Sequence, residues 1–338
     1  MKHKTLNAAI VGLGVGERHI QAYKSESRCN LVKLCDIDKN KLKEVGENHS
    51  ECKLTINPND IFNDPNIDIV SIASYDNFHA EQVIKAVKSG KHVFVEKPIC
   101  LTEDELISIS KALTENPNVK ISSNFVLRKS PQFLDVKNAI LKKKFGKLYY
   151  LEGDYNYGRV HKITKGWRGD IPNYSVMHGG GIHLIDLISW LIDEPAVEVN
   201  AIGNKIVTDG TKFSNLDMIT ALIRFKNNII VKITSNYGSV TPHHHRLSVY
   251  GTKSTFFHSQ KGGVYYFKRE DENDKKEINK TFDNSSKINV LKSFICHILD
   301  GSNPDVTSKE VLDAMAISLA IEKSLDTKNW EKIRFVTS

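Results

Sequence analysis

Through residues 1–122, short apolar runs alternate with helical patterns, and the first run, 8–11, ends directly in the turn Gly12-Leu13-Gly14-Val15-Gly16. This alternation leaves few folds open. Repeated strand–helix units give parallel strands, with helices covering both faces of the sheet. The strands expected are 8–11, 31–35, 54–56, 69–73, 92–95 and 119–122. Between them, Ala80, Val83, Ile84 and Val87 recur at helical spacing, and Thr102-Glu103-Asp104-Glu105 has the form of a capping box. In open parallel sheets, ligands bind beyond the carboxyl ends of the strands. The glycine turn sits at one such end. Glu96-Lys97-Pro98, following Val93-Phe94-Val95, sits at another. Together they point to a dinucleotide-dependent oxidoreductase.

After residue 123 the pattern changes. Segments 148–156, 197–203, 218–225, 229–236, 246–251 and 263–267 read as strands joined by short turns such as Lys226-Asn227-Asn228. That succession predicts a mostly antiparallel sheet. Residues 269–280 are densely charged and read as a solvated hairpin or loop, and helical periodicity returns at 308–325. The expected fold class is therefore α/β: a doubly wound parallel sheet over 1–122, then an α+β domain over 123–338. The helix near 308–325 is expected to pack back on the first domain.

Length agrees, since 338 residues exceed one ordinary core. No run of about 20 apolar residues is present to span a membrane. The start of the chain reads as a first strand rather than a leader, so an unprocessed cytoplasmic protein is expected. Five scattered cysteines without CxxC spacing imply a reducing compartment and no structural zinc. The net charge of +7 is spread among interleaved acids. No basic stripe with aromatics argues for a nucleic-acid partner, and a mild positive field suits an anionic substrate. His243-His244-His245 does not make a metal site, because consecutive strand residues face opposite sides; no metal is expected.

Gly12, Gly14, Val15 and Gly16 form the expected pyrophosphate loop, with the next helix offering its unpaired N–H groups to the anion. The loop departs from the usual spacing: Glu17 stands where the third glycine belongs, and Gly16 lies one place early. Asp36, after the second strand, is placed to accept hydrogen bonds from the adenine ribose, with Ile37 beside it. A carboxylate there repels a 2′-phosphate, which favours NAD over NADP. Asp38 competes for that role but also suits a helix cap. Ser74, Tyr75, Asn77 and His79 follow the fourth strand and are candidate cofactor contacts. Asn77 could instead cap the following helix.

The chain resembles the Gfo/Idh/MocA family of oxidoreductases. The residues that carry the likeness run from Gly12 to His19, then Cys35-Asp36-Ile37-Asp38, Asn77-Phe78-His79-Ala80, Gly90 to Pro98, Arg128 with Pro131, and Gly179 to Asp186. Gly90 to Pro98 is the most specific piece. The resemblance implies a Rossmann domain, a large open sheet in the second domain, a nicotinamide cleft between them, and association into homodimers or homotetramers. It implies that Glu96 and Lys97 line the cofactor site and that Lys97 touches substrate.

A lysine in a partly dry cleft is a candidate base for alcohol oxidation, so Lys97 is the first catalytic candidate. His183 is the second. Asp186 and Trp190 share its helix face, and Asp186 is expected to orient the imidazole. Many family members carry an aspartate four residues before the motif histidine; here that position is Gly179. Whether Lys97 or His183 exchanges the proton is therefore open, and Tyr155, Tyr157 or His178 could substitute. Arg128, Tyr155, Trp167, Arg168, Lys97 and His183 are the expected substrate contacts, since aromatic faces stack on sugar rings and Arg168 can read a carboxylate or phosphate. The expected activity is hydride transfer between NAD and a carbinol or ketone carbon of a sugar, sugar derivative or nucleotide-sugar. Redox-assisted glycoside hydrolysis with recycled NAD, and cofactor-binding regulation without turnover, are the alternatives.

Overall fold

The computed structural model describes residues 5–172, 174–271, 273–279 and 288–337. Two compact units divide these residues. One lies within Met1–Val126, Asn284–Asp313 and Val336–Ser338, the other within Leu127–Asp283 and Ala314–Phe335.

The first unit is built on six parallel strands, β1 (Leu6–Val11), β2 (Cys29–Cys35), β3 (Lys53–Thr55), β4 (Ile69–Ile72), β5 (His92–Val95) and β6 (Ile121–Ser123), in the order β3-β2-β1-β4-β5-β6. All six expected strands are present. β4 is buried along its whole length, and β1 and β5 nearly so, as strands covered on both faces must be. Helices α1 (Glu17–Lys24), α2 (Lys39–Glu47), α3 (Asn59–Phe62), α4 (His79–Lys88) and α5 (Glu103–Glu115) alternate with them. Thr102 and Glu105 form the capping box read from sequence. Register fixes what the sheet presents. Val11 pairs with Cys35 and Ile72, Ile72 with Val95, and Val95 with Ser123. The residues that follow these strands, Gly12, Asp36, Ala73, Glu96 and Asn124, therefore emerge along one edge.

In the second unit, α6 (Pro131–Leu141) precedes β7 (Leu148–Asn156), α7 (His161–Thr164) and α8 (Ile182–Ile192). β8 (Ala196–Asn204), β9 (Met218–Phe225), β10 (Ile230–Asn236), β11 (His244–Gly251), β12 (Thr255–Ser259), β13 (Gly262–Tyr266) and β14 (Lys275–Ile278) follow. Then come α9 (Asn289–Asp300), which belongs to the first unit, α10 (Ser308–Thr327), whose residues up to Asp313 also belong to the first unit, and the short β15 (Glu331–Lys332). The sheet runs β14-β13-β12-β11-β7-β10-β9-β8-β15. Among the described residues of this sheet, β7 and β10 pair in parallel and the other pairs are antiparallel. β14 lies inside the charged segment expected as a hairpin or loop, whose residues 272 and 280 are outside the described ones. α8 is apolar on most of its surface and packs on β7, so Leu184, Ile188 and Leu191 are fully buried. Among the described residues, no helix is long and apolar enough to cross a membrane.

Candidate active site

At the strand edge of the first unit, the glycine turn is held from two sides. Gly12 adopts φ +87°, and a Cβ there would strike the carbonyl of Ala73, so only glycine fits. The Asp36 carboxylate accepts the backbone N–H of Leu13 at 2.6 Å and that of Asp38 at 2.8 Å. Asp38 accepts the N–H groups of Asn40 and Lys41 and so caps α2. Gly14 faces open space, Val15 and Ile37 are exposed, and α1 starts at Gly16 with no side-chain cap. No side chain caps α1; the Arg18 and His19 N–H groups turn back to the Val15 and Gly16 carbonyls, so it is the glycine turn itself that faces an incoming pyrophosphate. The residues present fit a dinucleotide.

Other expected cofactor contacts have different work. Asn77 is exposed in a single turn, Asp76–Phe78, and Phe78, not Asn77, occupies the cap of α4. Tyr75 is exposed beside it, and the Ser74 hydroxyl donates to Gln82. His79 is fully buried, with Nδ1 2.6 Å from the Pro98 carbonyl and Nε2 3.0 Å from the Ser74 carbonyl. It ties the end of β4 to the turn after β5 and is a scaffold residue rather than an exposed cofactor contact.

Glu96 is likewise a scaffold. Its carboxylate accepts hydrogen bonds from Asn124 Nδ2 at 2.7 Å and His19 Nε2 at 3.3 Å. Burial alone would raise its pKa, but His19, Lys97 and Asn124 together hold it down at about 2. Lys97, next in the chain, is half-buried. The motif thus divides its labour: Glu96 anchors the strand end and supplies a fixed negative charge, and Lys97 carries the amine.

The second unit gathers a wall of phenols and imidazoles. Tyr155 on β7 stacks with Tyr157 (centroids 5.6 Å apart) and with His183 at the start of α8 (6.4 Å). His243 and His245 both lie 5.1 Å from Tyr155, and His245 lies 6.1 Å from His183. His245 is the direct cross-strand neighbour of Tyr155. His244 turns to the other face, toward Asn156 and Gln260. Sequence reasoning missed His243 and His245 as site residues, although the alternation that argued against a metal triplet also places them together. Trp167 and Arg168 lie in one short turn, with the guanidinium 4.3 Å from the indole centroid.

Two expected site residues pair with each other instead. Arg128 Nε and Nη2 donate to Asp186 Oδ2 and Oδ1 at 3.0 and 2.6 Å, with both side chains buried. Trp190 lies against the same guanidinium at 5.7 Å. Asp186 thus balances a buried cation, and Arg128 is a strut under α8 rather than a substrate contact. His178 is buried against the Ser318 hydroxyl at 2.7 Å, and burial lowers its pKa to about 3, which disqualifies it as the proton acceptor. Burial also pushes the Tyr155 phenol well up, making it a hydrogen-bond donor rather than a base.

α8 is entered through a π-turn, Met177–Gly181. A Cβ on Gly179 would collide with the Tyr174 hydroxyl, and one on Gly180 with the Tyr155 ring. The glycines are the price of bringing these phenols against the turn. Tyr174 and Tyr237 join their hydroxyls at 3.2 Å beneath it.

The family model described as "Oxidoreductase family, NAD-binding Rossmann fold" matches residues 6–125. The one described as "GFO/IDH/MocA C-terminal domain" matches residues 133–257. The chain belongs to the Gfo/Idh/MocA family. The myo-inositol 2-dehydrogenase of Thermotoga maritima is 26% identical over 345 residues, covering 98% of this chain and 99% of that protein. The scyllo-inositol 2-dehydrogenase (NAD(+)) of Bacillus subtilis is 27% identical over 267 residues, 76% of this chain and 74% of that one. A solved structure of levoglucosan dehydrogenase in complex with NADH has a TM-score of 0.87 at 19% identity, over 98% of this chain and 100% of the other. That likeness concerns the fold. Within this Gfo/Idh/MocA chain, the space beside residue 179 is filled by Tyr174 and Tyr237.

Proposed function

We propose that this Gfo/Idh/MocA protein is an NAD-dependent dehydrogenase of a sugar or polyol, with Lys97 as the group that exchanges the substrate proton. The observation that carries this reading is the strand edge itself. Strand register brings the glycine turn, Asp36 and the Glu96-Lys97 pair to the same end of one parallel sheet. The names of the inositol dehydrogenases among its relatives support a polyol substrate.

NAD is the expected dinucleotide. Asp36 spends one lone pair of each oxygen on the backbone and keeps others for the ribose hydroxyls, and its charge repels a 2′-phosphate. Bound NAD would supply the hydride acceptor. With NAD bound as the acceptor, the carbinol C–H electron pair would leave as hydride, and the Lys97 amine would take the O–H proton as the ketone forms. Within the second unit, the His183 imidazole, backed by the stacked Tyr155 ring, is suited to a hydrogen bond with a sugar hydroxyl, and Trp167 offers an aromatic face. Asp186 contributes through Arg128, by fixing the start of α8 that aims His183.

The test is NADH formation from neutral and acidic sugars and polyols by the wild-type protein and Lys97→Ala. NAD reduction by the wild type and its loss in the variant support the reading. Turnover that persists without Lys97 removes it as the base.

A further inference from the structure

Every residue from Tyr174 to His178, the segment that leads into α8, makes a polar contact. Two of the partners come from the end of β10. The Tyr174 hydroxyl meets that of Tyr237 at 3.2 Å, and the Ser235 hydroxyl donates to the Val176 carbonyl at 2.7 Å. Two more come from α10. The Ser175 hydroxyl accepts the Met177 N–H at 2.9 Å and donates to the Glu322 carboxyl group. His178 Nδ1 lies 2.7 Å from the Ser318 hydroxyl. Ser318 and Glu322 are four residues apart, so they share one face of α10. All of these residues belong to the second unit.

The support falls where local structure is weakest. Met177–Gly181 is a π-turn, a rare form of backbone, and three of its five residues are glycines, which lose the most freedom on ordering. Ser175, His178 and Ser318 are buried and Glu322 is half-buried, so water competes poorly for these bonds. Burial, with Asp326 adding to it, raises the Glu322 pKa to about 7 against the effect of the Ser175 bond. At mildly acid pH the group is therefore neutral, and glutamine resembles it. His183 is the second residue of α8, directly after the turn. The shape of the turn thus sets where that imidazole points, while Arg128 holds Asp186 one turn further along.

From this geometry we propose that the Ser175–Glu322 and His178–Ser318 contacts form a two-point clamp by which α10 holds the π-turn and so positions His183. The inference rests on the dehydrogenase reading, in which His183 meets a substrate hydroxyl, and names the residues that aim it. Ser175, His178, Ser318 and Glu322 are positioning residues, because support behind a contacting side chain fixes its angle and rotamer.

The experiment uses the full chain with ring-labelled histidine, followed by NMR at about pH 6, below the Glu322 pKa, and by thermal melts. The thirteen histidines give thirteen ring signals, and His183→Gln identifies the one from His183. Ser318→Ala and Glu322→Ala each remove one point of the clamp. The His183 signal should shift and broaden in each, and more in the double variant. It should return to its wild-type position in Glu322→Gln, which keeps an acceptor for Ser175. Phe256→Leu, a buried cut in β12 that leaves the clamp intact, should lower the thermal midpoint without moving the signal. With NAD and myo-inositol, the alanine variants should raise KM roughly threefold to tenfold, the worth of one hydrogen bond, with kcat changed less. An unmoved His183 signal in the double variant overturns the inference. So does a shift of the same size in Phe256→Leu, or a Glu322→Gln protein that behaves like Glu322→Ala. Absence of NAD reduction bears on the dehydrogenase reading alone, because the ring signals report the clamp without turnover.

Discussion

The Asp36 carboxylate accepts the backbone N–H of Leu13 at 2.6 Å, so the acid that ends β2 also holds the glycine turn that ends β1. One side chain therefore shapes the loop and, on the proposed reading, would also face the ribose. Asp36→Ala should weaken NAD binding roughly tenfold or more, because a charged hydrogen-bond acceptor is lost. It should also narrow the preference for NAD over NADP. Calorimetric titration with both dinucleotides checks this; an unchanged preference would count against Asp36 as the discriminating group.

Gly179 is fixed by its neighbours. Because a Cβ there meets the Tyr174 hydroxyl and lies 2.9 Å from that of Tyr237, Gly179→Asp should destabilise the protein by about 1–3 kcal/mol through overpacking. Introducing the acid that the family resemblance leads one to expect at this position should thus lower the thermal midpoint and leave turnover no faster. A variant as stable as the wild type would contradict the packing described.

The Arg128–Asp186 pair makes a sharper stability prediction. Arg128→Met leaves the Asp186 carboxylate buried without its cation and should lose about 3–5 kcal/mol. Arg128→Met with Asp186→Leu should recover much of that loss, since an apolar pair leaves no charge behind. Denaturant midpoints for the single and double variants decide it. If the double variant is no better than the single, the pair is not what destabilises.

Two acids, the buried Glu96 and the half-buried Glu322, give stability a pH dependence of opposite signs. Glu96 has its pKa depressed from 4.5 to about 2. Its contribution is complete above pH 4.5 and is lost as pH falls toward 2. Glu322 has its pKa raised from 4.5 to about 7. Between those values the folded state keeps a proton that the unfolded state has released. Stability should therefore fall as pH rises through that window, by on the order of 3 kcal/mol in all. Thermal melts of wild type and Glu322→Gln from pH 5 to pH 8 test the second limb: the variant should lose the decline.

Much of this was legible in the chain. β1, β4 and β5 declared themselves because each is a mostly buried apolar run ending in a turn signal, whereas β3 is short and largely exposed. Thr102 and Glu105 gave a helix start because capping is local. β12 and β14 went unread, since Phe256-Phe257 is too short a run to show alternation and β14 buries only Ile278 among charged residues. The glycine turn was legible because its requirement is local: Gly12 sits at φ +87°, where only glycine fits. Arg128 and Asp186 are 58 residues apart, and nothing in either motif tells that they neutralise each other. His79 and Glu96 belong to the right motifs but face inward, a matter of side-chain direction that spacing does not fix. His243 and His245 had a usable signal in their two-residue spacing, which places them on one face near Tyr155.

The most direct measurement is the rate of NAD reduction by wild type and Lys97→Ala on the best sugar or polyol substrate, with NADH affinity determined for both. Loss of a general base should reduce kcat by about 10²–10⁴-fold while NADH binding stays within a few-fold. A variant that binds NADH normally and still turns over at the wild-type rate would contradict the central role given to Lys97.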